Sequence, residues 1–239
     1  MAPMGDLAAS DINHAHPEHL LGLAVERVYA AFASHSLGAA MPVWRQDVTA
    51  SDVAALSGPV RDVDPEAIDR WLPHAVTTWG TADDLRALLP RVLELFAAGR
   101  LSTSPEVLFT KVRLAGVTSW TVEEQAAVED LITAVWLAGL AAHPSASGHP
   151  AWRLLVGLAE LGDELSPFLD DWLLMLGSAA PERATARHHL RDLVAAVERH
   201  KAAGGGVASL FWTPRPTEVA RLETWLASPF TTSQLADAP

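Results

Sequence analysis

The chain has 239 residues, 49% hydrophobic and 19% charged, with nine Trp against one Tyr, no Cys and a formal net charge of −12. That balance is globular, and the length suits one large domain or two small ones. It excludes disulfides, thiolate metal sites and cysteine nucleophiles, and its acidity argues against nucleic acid and for a basic protein partner.

Residues 1–16 show no periodicity and read as a frayed N-terminus, without the basic and apolar regions of a signal peptide. The remainder, 17–239, reads as a single all-α domain of about nine or ten helices. Pro17 suits a helix N1 position, and Leu20, Leu21, Val28 and Phe32 recur at helical spacing over 17–34. After a loop over 35–50, Ser51 is the expected cap of a short helix. Asp64-Pro65-Glu66 starts another, and Pro73 kinks or ends it. Thr81 with Asp84 resembles a capping box opening a helix that stops at Gly99, with a kink expected at Pro90. Ser104-Pro105-Glu106 opens the next helix and Gly116 closes it.

Thr121 and Glu124 form a full capping box ahead of a helix running to about Ala142. The Pro- and Ser-rich stretch 143–150 is the one candidate for a subdomain break. Further helices are expected at about 150–161, 167–177, 181–202 and 216–227, with one more turn at 231–236. The only strand candidate is Val207–Phe211. No run of about 18 apolar residues occurs, so no membrane span is expected and the cytoplasm is the expected location.

Trp79 and Trp120 each precede a capping Thr and lie 41 positions apart (79 to 120). A period near 40 with paired helices is what HEAT-like arrays show, but such arrays need about three copies. An irregular helical bundle fits equally well.

The candidate chemistry is sparse. His14, His16 and His19 have ligand-like spacing but sit in the flexible-looking N-terminus, and no metal site or cofactor is expected. His188, His189 and His200 cannot share a metal, since twelve residues of helix span about 18 Å; His189 is expected on a solvated face. Asp83-Asp84 fits a first-turn dipole effect, and Asp170-Asp171 diverges on a helix. Gly204–Gly206 reads as a helix stop. Lysine occurs only at Lys111 and Lys201, a bias read as high-GC coding rather than mechanism.

The run Thr77-Thr78-Trp79-Gly80-Thr81-Ala82-Asp83-Asp84-Leu85, with Phe211-Trp212 before Trp225-Leu226 and Ser228, resembles a family of bacterial all-helical proteins that carries no assigned activity. The resemblance covers about residues 20–236 and implies a shared helical fold. Some relatives have a Cys-Pro-Cys-Cys-like run where this chain has Trp44-Arg45-Gln46-Asp47, so any thiolate chemistry there is lost.

Two functions are expected in parallel. The first is a non-enzymatic helical interaction protein, regulatory or immunity-type, that binds a protein partner through its acidic surface. The alternative is an enzyme or small-ligand binder with a pocket between helices, where His74, Trp79, Asp83, Asp84 and Arg91 cluster around one corner.

Overall fold

Prolines and short polar side chains set the helix starts. The computed structural model describes residues 17–38, 40–143, 148–162, 164–179 and 181–236. The expected frayed segment 1–16, with His14 and His16, and residues 144–147 of the 143–150 linker lie outside them. Among the described residues the fold is all-α, with 11 α-helices and no strand. They are α1 (Pro17–Ala31), α2 (Ala50–Ala54), α3 (Pro65–Trp71), α4 (Ala82–Ala97), α5 (Pro105–Leu114), α6 (Val122–Ala141), α7 (Ala151–Leu161), α8 (Ser166–Gly177), α9 (Glu182–Ala202), α10 (Pro216–Ala227) and α11 (Pro229–Ala236). The count exceeds nine or ten partly because the C-terminal turn begins earlier, at Pro229, and makes a full helix.

Reciprocal caps hold the two long central helices. Thr81 N–H donates to the Asp84 carboxylate at 2.8 Å, and Asp84 N–H returns to Thr81 Oγ1 at 3.2 Å. Thr121 and Glu124 repeat the device at 2.9 and 3.2 Å. Each pair satisfies two N–H groups that the first turn leaves without helical acceptors. The cap of α2 is Thr49, boxed with Asp52, not the expected Ser51. Pro73 ends α3: the helix stops at Trp71 and Leu72–His74 make a 3₁₀ turn. Pro90, in contrast, sits within α4, which continues to Ala97. The strand expected at Val207–Phe211 is a 3₁₀ turn over Val207–Leu210.

One contiguous buried cluster runs from Ala24 on α1 to Trp225 on α10. Trp71, Trp79, Trp136 and Trp172 are its largest fully buried side chains. The closest helix pairs are not neighbours in sequence. α1 lies antiparallel to α6, since Arg27 pairs with Asp130 while His35, just past α1, reaches Glu124 at the start of α6. α5 and α7 run parallel: Arg153 bonds Glu106 near both N-termini, and Arg113 bonds the Glu160 carbonyl near both C-termini, each at 2.9 Å. A Cβ on Gly157 would lie 2.8 Å from Phe109 and 2.9 Å from Pro105, so glycine sets that approach. Such pairing is an irregular bundle, and it departs from an array of consecutive hairpins.

Candidate functional site

The corner between α3 and α4 holds the first sequence candidates. With α3 stopped, the carbonyl of His74 accepts the N–H groups of Thr77, Thr78 and Trp79 at 3.0–3.2 Å. To allow this, Val76 adopts φ +67°. A β-branched residue in the left-handed region carries strain on the order of 1–3 kcal/mol. The loop 41–48 is bonded onto this corner: Trp44 N–H donates to the Thr78 carbonyl at 3.0 Å and Gly80 N–H to the Pro42 carbonyl at 2.8 Å.

That docking brings Arg45 to His74. The Arg45 Nη1 lies 3.1 Å from His74 Nδ1, while its Nε and Nη2 donate to Asp47 at 3.0 and 2.5 Å. From α5, Lys111 Nζ donates to Thr77 Oγ1 at 3.0 Å. Burial, then the Arg45 and Lys111 charges, hold the His74 pKa below that of a free imidazole. Burial likewise lowers the Lys111 pKa.

The five expected site residues do not form one pocket. His74 is half-buried at the corner, and Trp79 is buried beneath it, its carbonyl accepting from Trp71 Nε1 at 3.1 Å. Asp84 is committed to its cap. Asp83 faces solvent, 3.8 Å from Arg86. Arg91 is separated from Asp84 by seven residues, about 10 Å of helix, and belongs to another cluster. There it bonds the Val63 carbonyl at 3.0 Å and Glu94 at 2.8 Å, and Glu94 also accepts from the Tyr29 hydroxyl at 2.6 Å.

A third polar cluster joins three helices. Glu124 accepts two bonds from Arg86 of α4, at 2.9 and 3.0 Å, and lies 2.5 Å from His35 Nε2. Burial alone would raise the Glu124 pKa, but bonds from His35, Thr121 and Arg86 outweigh it and hold it below the usual value. His35 also edges a groove of about 390 Å³ that Ser36, Ser57 and Val60 line.

His189 corrects an expectation, since it is buried rather than solvated. Its Nε2 lies 2.8 Å from the Ala142 carbonyl, its ring stands edge-on to Trp172, and burial lowers its pKa. Asp170 is exposed, whereas burial and then the Asp170 charge raise the Asp171 pKa. Among the described residues no group of three or more His, Cys, Asp or Glu could hold a metal ion. None of their helices is long and apolar enough to cross a membrane.

Sequence reasoning missed Arg45, Lys111 and the His35–Glu124–Arg86 cluster. Lys111 had a signal: it lies three residues past Leu108, on the stripe that Phe109 and Val112 bury. His35 and Glu124 lie 89 positions apart, and no local pattern joins them. No family model, curated protein or solved structure matches the chain.

Proposed function

We propose that this chain is a non-enzymatic helical interaction protein, regulatory or immunity-type, that binds a basic protein partner through the outer face of α1 and α6. The observation that carries the reading is the composition of that face. On α6, Glu123, Asp130, Thr133 and Leu137 recur at helical spacing and are exposed; on α1, Leu23, Arg27 and Ala30 do the same. The Arg27–Asp130 pair joins the two rows. Leu23 is 55% exposed, Leu137 37%, and Val122 at the start of α6 77%. Four exposed carboxylates, Glu26, Glu123, Glu129 and Asp130, lie on the same two helices as these aliphatic side chains, against two cations, Arg27 paired with Asp130 and Arg61 paired with Glu26.

Exposed aliphatic groups gain free energy when a partner removes them from water, and a carboxylate rim steers a basic partner towards them. A chain of net charge −12 strengthens that steering at low salt. A cytoplasmic location and kinship with the bacterial helical family that the Trp79 and Trp212 signatures resemble belong to the same proposal.

Co-purification from native cells tests it, comparing the wild type with a Leu23→Asp, Leu137→Asp double variant. The reading expects a partner that elutes with salt and is lost from the variant. Recovery of no partner by the wild type, or equal recovery by both, would count against it.

A further inference from the structure

Arg91 and Lys111 are the two buried cations among the described residues, and they are treated differently. Arg91 has the Glu94 carboxylate at 2.8 Å. Lys111 is 7% exposed, and a hydroxyl, not a carboxylate, meets its ammonium. A buried charge without a counter-charge is unfavourable, so this position is incomplete as a structural element.

The surroundings say what would complete it. A guanidinium has no acceptor, so His74 must accept from Arg45 at Nδ1, which leaves Nε2 as a donor N–H. The Thr77 hydroxyl donates to the His74 carbonyl at 2.9 Å while accepting from Lys111. Thr77 is exposed, so the one hydroxyl that meets the buried ammonium lies at the surface. Both carboxylate oxygens of Asp47 are occupied by Arg45. Arg45, Lys111 and Asp47 sum to one excess positive charge, and the unoccupied capacity of Lys111 and His74 is donor capacity only. The backbone that builds this arrangement is strained at Val76, and such strain gathers at ligand sites.

We propose that the corner of Arg45, His74, Thr77 and Lys111 binds a small oxyanion, the carboxylate or phosphoryl group of a ligand. The anion supplies the missing counter-charge and accepts N–H bonds from Lys111 and His74. The site lies apart from the α1–α6 face and stands or falls independently of it.

The test is a titration of the full chain with sodium phosphate and, separately, sodium acetate, followed by the ring NMR signals of His74. Sodium chloride at equal ionic strength is the control, and His74→Gln assigns the signals. A saturable shift with phosphate, acetate or both is expected, with none from chloride; which anion saturates identifies the group. The shift should disappear in Lys111→Met and weaken in Arg45→Met, whose changed side chain is partly exposed and leaves the core intact. No saturable shift with either anion, an equal shift with chloride, or an unchanged titration in either folded variant overturns the proposal.

Discussion

Two charged clusters on α4 are closed, and a third, at the corner of His74 and Lys111, is open. On one side of α4, Arg91 and Tyr29 both donate to Glu94, and Arg61 stacks 3.6 Å over the Tyr29 ring while pairing with Glu26. At the start of α4 and α6, Arg86 and His35 converge on Glu124. In these clusters every charge has a partner, and the bonds join helices. The corner of His74 and Lys111 is built with the same care but remains open by one negative charge. A closed cluster is explained by the architecture it holds, whereas an open one is explained by what enters it.

The largest expected effect breaks a closed cluster. Glu124→Ala should lower stability by about 3–5 kcal/mol, because it leaves Arg86 without its carboxylate and removes half of a cap. The urea midpoint measures this, and a loss near zero would erase the distinction between the clusters. The open corner should respond with the opposite sign. Lys111→Met should raise stability by about 1–3 kcal/mol, the scale of an uncompensated buried polar group. Val76→Gly should raise it by about 1 kcal/mol, since glycine adopts φ +67° without strain but loses more backbone entropy on folding; a thermal melt decides the sign.

The smallest effect is in pH. Burial lowers the folded pKa values of His149 and His189. Between those values and the unfolded one near ~6.5, the unfolded chain binds more protons. Their contribution is therefore complete above about pH 6.5 and is lost as pH falls below it. Glu94 and Glu124 have lowered pKa values too, so their contribution persists down to about pH 4.3 and is lost below that. Melting temperature against pH should decline in these two stages, and His189→Gln should flatten the first.

Local chemistry was readable because caps and prolines act within a few residues. The Thr81–Asp84 and Thr121–Glu124 boxes, the Asp64-Pro65 start and the stop before Pro73 are of this kind. Thr49 replaced Ser51 because either hydroxyl could start α2, and only the reciprocal bond with Asp52 decides. The candidate site was half readable. His74 and Trp79 do lie at a built corner, but Arg91 was grouped with them by sequence proximity, and two turns of α4 carry it to another cluster. In the sequence Lys111 is no more than part of a compositional bias, since no sequence pattern shows that a stripe lysine meets a threonine 34 positions away. The burial of His189 is not legible, because a histidine on a charged helix gives no sign of the Trp172 face it packs against.

The contrast between closed and open clusters is tested most directly by urea unfolding of the wild type and Lys111→Met, each with and without phosphate and acetate at constant ionic strength. The account predicts that Lys111→Met is the more stable chain without these anions, and that phosphate or acetate stabilises the wild type alone. A less stable Lys111→Met, or equal stabilisation of both chains, would contradict it.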